Sequence, residues 1–239
     1  MNEVAMSAVP KPRVDRHHEP WVEDPQRLVL HDVSWPTYLT IADALGDRNL
    51  RLTYDRGNLE FMTLSPEHEL YKSIFNMFIR VLAAEYRMMM KNLGSTTFRR
   101  QDLARGLEPD ECYYFQQWLK IKGKKRLDLT RDPPPELVVE IDVTRSAIDR
   151  LEIYARLGVG EVWRFTGKEI IVYRLSTQGE YDRSATSGHF PQVPMEHLLD
   201  FTRRADSVDD ITLEQEFREW VQGLPSAAKP ARKSKRRNG

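Results

Sequence analysis

The chain has few of the residues that support thiol, zinc or nucleotide-cofactor chemistry. Among its 239 residues there is one cysteine, Cys112, which excludes an internal disulfide and a cysteine-based zinc cluster. We expect this cysteine to serve in packing. The six histidines show no metal-ligand spacing, and neither a Gly-x-Gly-x-x-Gly nor a phosphate-loop pattern occurs. Acidic and basic side chains are therefore the candidates for a functional site.

Long apolar runs are also missing. No stretch of 18 or more apolar residues occurs, and the N-terminus lacks the apolar segment of a signal peptide. We therefore expect a cytoplasmic protein without a membrane segment. We expect one domain at 25–224, between a disordered N-terminal arm at 1–24 and a disordered basic tail at 225–239.

The chain has no net charge, but its charged residues are unevenly distributed. Residues 229–239 hold six basic side chains and no acidic one, so residues 1–228 carry a formal charge of −6. A body of this sign needs a local patch to contact DNA. The segment 118–126, predicted as a basic hairpin, is the first candidate, and Arg99 with Arg100 is the second. A solvated surface explains either patch equally well.

The most informative feature is a set of acids near the middle of the chain. In the strand predicted at 136–142, successive side chains point to opposite faces, so Glu140 and Asp142 share a face with Val138. Burying these carboxylates is costly unless a bound cation or an arginine compensates their charge. The pattern indicates a divalent-cation site, an arrangement suited to phosphodiester hydrolysis. Asp142 could be an extra ligand, although an ion pair with Arg145 or Arg150 is slightly favoured.

The segment before this strand contributes another acid. Residues 107–115 are predicted to be extended, because Pro109 disfavours helical angles at Glu108 and Tyr113 favours a sheet. Asp110 would then lie on a strand that can pair near Glu140.

Two helices bring further charged groups to the acids. Ser65 is a good N-cap for a helix predicted at 66–91, whose apolar period places Glu67 on the buried side and Glu69 on the solvent side. The helix dipole alone also favours acids in a first turn. Glu67 is therefore explained equally well as a carboxylate near the metal and as an acid that stabilises the helix. In a second helix, at 146–157, Arg150 borders the inner stripe and can reach back toward the strand end.

The remaining pattern predicts alternating strands and helices. The predicted strands are at 28–31, 50–54, 58–64, 96–101, 161–165, 169–175 and 181–184, and the predicted helices are at 36–45, 195–204 and 213–222.

These motifs together resemble the Uma-two family of restriction-endonuclease-like proteins, in the PD-(D/E)XK nuclease superfamily. The motifs are GNLEFM at 57–62, SPEH at 65–68, GLEPD at 106–110, PPELVVEIDVTRS at 134–146 and YARLGVGEVWR at 154–164. The resemblance covers roughly residues 25–200, and the linkage of several motifs makes it specific.

The resemblance implies an α/β (α+β) restriction-endonuclease-like fold, with a mixed β-sheet core flanked by helices. It places the early acid on Glu67, the motif aspartate on Asp110 and the second acid on Glu140. The family lysine, moved to the helix after the strand, falls on Arg150. Arginine keeps the charge and can clamp a phosphate, but it cannot be deprotonated.

The sequence therefore predicts an endodeoxyribonuclease that uses Mg²⁺ or Mn²⁺. Asp110, Glu140 and Glu67 would serve the metal, and Arg150 would stabilise the scissile phosphate or orient water. DNA is the expected partner, and a homodimer would provide two sites for cutting two strands. The alternative is a nuclease-fold module, weakened or inactivated by Arg150, that binds DNA or a protein. A glycosidase would also use a pair of acids, but this alternative explains fewer of the residues than a metal site does.

Overall fold

The computed structural model describes residues 26–46, 50–143 and 146–225. The predicted N-terminal arm and all but the first residue of the predicted basic tail lie outside these residues. The strands are β1 (Arg27–Leu30), β2 (Leu50–Asp55), β3 (Asn58–Thr63), β4 (Lys91–Asn92), β5 (Phe98–Arg100), β6 (Arg105–Leu107), β7 (Glu111–Tyr114), β8 (Leu137–Ile141), β9 (Glu161–Phe165), β10 (Ile170–Leu175) and β11 (Tyr181–Ser184). The α-helices are α1 (Trp35–Leu45), α2 (Pro66–Glu85), α3 (Trp118–Ile121), α4 (Arg150–Leu157), α5 (Met195–Arg203) and α6 (Asp210–Gln222).

The strands form two sheets. The first is antiparallel, with the order β1-β3-β2-β6-β5, and the second has the order β11-β10-β9-β8-β7-β4. In the second sheet β8 and β9 are parallel and α4 connects them, whereas the other neighbours are antiparallel. The prediction of a mixed sheet flanked by helices is confirmed, as is the meander formed by β9, β10 and β11.

The mixed sheet has apolar side chains on both faces. Leu137, Val139 and Ile141 of β8 belong to a core that also contains buried residues of α2, α5 and α6. Val138 points the other way, into a core with residues of α4 and with Leu107 of the first sheet. The predicted alternation of β8 is therefore correct. It directs Glu140 toward the face that carries α4 and the antiparallel sheet.

Helix α2 begins where the sequence predicts and ends earlier. The Ser65 side chain accepts a hydrogen bond from the backbone N–H of His68, and Pro66 occupies the first turn. The helix ends at Glu85, and Lys91 already belongs to β4, so the predicted end at 91 is wrong. The backbone reverses through Arg87, whose positive φ interrupts the helix. No helix in the described ranges is long and apolar enough to cross a bilayer.

The chain passes from one sheet to the other just before Asp110. The predicted continuous strand at 107–115 is in fact two strands, because β6 pairs in the antiparallel sheet and β7 in the mixed sheet. Pro109 lacks a backbone N–H for a ladder, which accounts for the break at this point. Asp110 consequently lies at the junction of the two sheets.

The basic segment 118–126 also differs from the prediction. Its first residues form the short helix α3, and turns follow, so the predicted hairpin is wrong. The ammonium of Lys122 lies 5.8 Å from the ring centroid of Trp118, and Lys124 pairs with Asp132. In the second predicted patch, Arg99 pairs with Asp43 and Arg100 with Asp102. Local acids therefore offset part of the basic charge in both patches.

A close approach of the Gly106 backbone to the ring of Tyr38 predicts a large cost for a side chain at this glycine. A Cβ there would lie 3.0 Å from Cζ of Tyr38, which is fully buried and stacks on Tyr54 at 4.7 Å between ring centroids. We expect Gly106→Ala to lower the free energy of unfolding by about 1–3 kcal/mol, measured by urea unfolding. Gly160→Ala, whose Cβ would meet no atom closer than 3.5 Å, should change it far less. Equal effects would contradict the close approach.

Candidate active site

Asp110 is the buried acid at the junction of the sheets. Its Oδ2 accepts a hydrogen bond from the backbone N–H of Ile141 at 2.8 Å. Its Oδ1 lies 3.0 Å from Nε2 of His68 and 3.9 Å from Nε of Arg51, and neither contact is aligned as a hydrogen bond. Burial alone would raise the pKa of Asp110, but His68, Arg150 and the Ile141 N–H lower it below its ordinary value. Asp110 is thus held as a carboxylate.

Glu140 is held by groups from helix α4. Its Oε1 accepts a hydrogen bond from Nη2 of Arg150 at 2.7 Å and another from the hydroxyl of Tyr154. Burial raises the pKa of Glu140 and the negative charge of Asp110 adds to this, so the pKa stays above its ordinary value despite Arg150 and Tyr154. The two acids are therefore electrostatically coupled, and additional positive charge between them would be favourable.

Arg150 connects both sheets through its guanidinium. Nη1 donates to Oγ1 of Thr53 on β2 at 2.5 Å, and Nη2 donates to the backbone carbonyl of Glu108 at 2.8 Å as well as to Glu140. Burial alone would lower the pKa of Arg150, but Glu140, Tyr154 and Asp110 raise it well above its ordinary value. The prediction that Arg150 reaches the strand from the helix is confirmed, although its partner is Glu140.

Asp142 forms ion pairs, but with arginines other than the predicted ones. Its Oδ2 accepts hydrogen bonds from Nε and Nη2 of Arg164, and its Oδ1 lies 3.4 Å from Nη2 of Arg27. Arg145 lies outside the described residues, and Arg150 pairs with Glu140. Both new partners come from strands whose register the local sequence does not reveal.

A cavity of about 250 Å³ opens beside these groups. Glu140, Asp142, Arg150 and Tyr154 contribute to its wall, together with Arg27 and Arg164. The wall therefore combines carboxylates with three guanidinium groups. Such a surface can accept a phosphate-containing ligand next to a cation bound by the acids.

The chain matches a known protein family over most of its length. Residues 35–206 match the model of a family described as "Uma2: Putative restriction endonuclease". The chain belongs to the Uma2 family. The resemblance inferred from the motifs is thereby confirmed, and family membership places the protein among restriction-endonuclease-like nucleases.

Solved structures similar to this Uma2 protein include the crystal structure of "a putative nuclease belonging to DUF820 from Anabaena variabilis ATCC 29413". The two chains are 13% identical with a TM-score of 0.46, and the match covers 79% of this chain and 99% of that chain. None of the curated proteins matches the chain.

Glu67 does not project toward the buried side of this Uma2 protein, and that prediction is wrong. Its side chain is exposed, and no hydrogen bond or ion pair joins it to Asp110 or Glu140 among the described contacts. The inward residue of the first turn is His68, which is 1% exposed and faces Asp110. Burial alone would lower the pKa of His68, but Asp110 and then Glu69 raise it above its ordinary value.

A sequence signal for His68 exists, but it is ambiguous. His68 precedes the buried Phe75 by seven residues, as Glu67 precedes the buried Ile74. Both rows of the helix are buried further along, so periodicity does not distinguish them in the first turn. The position of the mixed sheet beneath α2 decides which row faces the acids.

The donor chemistry of the site is compatible with a hard divalent cation. No group of three or more His, Cys, Asp or Glu side chains arranged to hold a metal occurs in the parts of the chain that the structure describes. Mg²⁺, however, commonly uses one or two protein carboxylates and completes its shell with waters and phosphates. Oδ1 of Asp110 is buried without an aligned hydrogen bond, and the pKa of Glu140 is raised. Both observations fit a cation between these acids.

Proposed function

We propose that this Uma2 protein is a metal-dependent endonuclease that hydrolyses DNA phosphodiester bonds. Asp110 and Glu140 are the proposed metal ligands, and Mg²⁺ or Mn²⁺ is the proposed cofactor. The observation that carries the proposal is the pair of buried carboxylates whose charges interact, of which Glu140 lines a cavity with arginines in its wall. The family description supports a nuclease, and DNA is the substrate expected of a restriction endonuclease.

The chain's own residues prepare the acids for this role. The N–H of Ile141 and the ring of His68 keep Asp110 ionised, while Arg150 and Tyr154 fix the carboxylate of Glu140. A bound divalent cation would polarise the phosphate and lower the pKa of a bound water. Glu67 is exposed, so we propose that it assists metal binding only through a water molecule.

The experiment that tests the proposal is nicking of supercoiled plasmid and of single-stranded DNA by the purified protein. We expect cleavage with Mg²⁺ or Mn²⁺, none with EDTA, and none by Glu140→Gln, because the amide removes the ligand charge. Glu161→Gln is a matched control: Glu161 is another buried acid, but it accepts hydrogen bonds from Trp163, Ser187 and Gly188 away from the site. Retained cleavage by folded Glu140→Gln would refute the proposal.

A second candidate is a module that has lost cleavage and binds DNA or a protein. The observation that favours it is the guanidinium of Arg150, whose contacts with Thr53, Glu108 and Glu140 hold it within the protein. A folded protein that binds Mn²⁺ and cuts neither DNA substrate would support this candidate. The homodimer needed to cut two strands stays a prediction.

A further inference from the structure

The arginine expected to meet the phosphate is already occupied. The two terminal nitrogens of Arg150 donate hydrogen bonds to Thr53, the Glu108 carbonyl, Glu140 and the hydroxyl of Tyr154. Moving it toward a ligand would break hydrogen bonds that link the two sheets and would leave the buried carboxylate of Glu140 uncompensated. Arg150 therefore acts as a positioning residue for Glu140, and a substrate phosphate needs another positive group.

Arg164 is placed to supply that group by the register of the mixed sheet. Glu140 on β8 and Arg164 on β9 are direct partners in the parallel ladder, so their side chains lie next to each other on the same face. Both also contribute to the wall of the cavity. The side chain of Arg164 is 30% exposed, against 14% for Arg150. Arg164 is thus the more accessible of the two arginines beside the second acid.

Asp142 holds Arg164 in a defined orientation. Nε and Nη2 of Arg164 donate to Oδ2 of Asp142, and Arg27 contacts the other oxygen of the same carboxylate. Arg27 also pairs with Glu60, at 2.8 Å, so the closer hydrogen bonds of Asp142 serve Arg164. A guanidinium has five N–H donors in a planar fork that suits phosphate oxygens. Fixing one part of this fork lowers the entropy lost when the remainder binds a ligand.

We propose that Arg164 binds a phosphate of the nucleic-acid backbone within the cavity beside Glu140. The proposal rests on the proposed function, since it assumes a nucleic-acid substrate at the same site. It assigns the contact to Arg164 through the ladder partnership, the exposure and the hydrogen bonds to Asp142. The contact is independent of base sequence because every nucleotide carries the same phosphate.

The test is fluorescence anisotropy of a labelled duplex and a labelled single strand over a series of NaCl concentrations. One series contains EDTA, which prevents metal-dependent cleavage. A parallel series contains Ca²⁺ in place of EDTA, so that a bound cation neutralises the acids. We expect Arg164→Ala to weaken binding by about fivefold to tenfold at moderate salt and to reduce the slope of log K against log salt by about one. Arg164→Lys should restore most of the slope because it keeps the charge.

Arg203→Ala is the matched control for this measurement. Arg203 is also paired with an aspartate, Asp200, but it lies on α5, which packs against the opposite face of the mixed sheet. Its removal should leave the slope unchanged. An unchanged slope in folded Arg164→Ala, or equal losses in Arg164→Ala and Arg203→Ala, would overturn the phosphate contact. If cleavage proves absent while Arg164→Ala still reduces the slope, the proposed hydrolysis fails and the phosphate contact stands.

Discussion

Asp110→Asn should abolish metal-dependent cleavage while the protein stays folded. The asparagine oxygen can still accept the hydrogen bond from the N–H of Ile141, but the charge that would attract the cation is gone. Because a metal contributes several kcal/mol to stabilising the transition state, we expect the single-turnover nicking rate to fall at least about 100-fold. Titration with Mn²⁺ should show weaker binding in parallel, because the ligand set loses one of two negative charges.

Stability and activity must be separated in this experiment. Asp110 faces His68, so the amide leaves the imidazole without its carboxylate, and we expect a loss of about 1–3 kcal/mol in unfolding free energy. Glu161→Gln should incur a comparable loss without loss of Mn²⁺ binding, since its carboxylate serves the backbone and side chains near Gly188. Cleavage by folded Asp110→Asn at an unchanged rate would remove Asp110 from the metal site. Equal loss of Mn²⁺ binding in both variants would attribute the effect to destabilisation.

The parts of the fold that the sequence predicts well depend on local chemistry. Alternation in β8 places Glu140 on the correct face, and Ser65 with Pro66 correctly predicts the beginning of α2. The spacing of Arg150 from the apolar residues of α4 likewise predicts that its side chain points inward. Each of these inferences requires only the geometry of one helix or one strand.

The features that the sequence does not predict depend on how distant segments of the chain meet. The break before Asp110 separates two strands that belong to different sheets, and a proline in an extended run does not reveal a change of sheet. The partners of Asp142 are Arg27, 115 residues away in the chain, and Arg164, 22 residues away. The exposure of Glu67 depends on the packing of α2 against the mixed sheet. None of these contacts follows from local periodicity.

Arg150 has a structural role, because its guanidinium links the two sheets. A lysine would offer one ammonium, whereas the guanidinium reaches Thr53 in the antiparallel sheet and Glu140 in the mixed sheet at once. The arginine thus stabilises the arrangement of the acids by joining the elements that carry them. The same engagement keeps its charge away from a ligand in the cavity, which is the reason for assigning the phosphate contact to Arg164.

Replacing Arg150 with methionine should strongly destabilise the protein. The neutral side chain fills similar space but leaves the buried carboxylate of Glu140 without its cation, and we expect a loss of about 3–5 kcal/mol in urea unfolding. The double variant Arg150→Met with Glu140→Gln should recover much of this loss, because the uncompensated charge is removed as well. Additive losses in the double variant would contradict the ion pair.

Arg150→Lys separates positioning from chemistry at the same residue. Lysine keeps one charge near Glu140 but cannot also reach Thr53 and the Glu108 carbonyl, so its stability should fall between those of the original protein and Arg150→Met. The released ammonium can approach a phosphate, and a gain of at least about tenfold in nicking rate, equivalent to about 1.4 kcal/mol, would show that arginine alone limits an otherwise complete site. Unchanged or lower cleavage, with Asp110→Asn still inactive, would instead show that the guanidinium is needed to hold Glu140 in place.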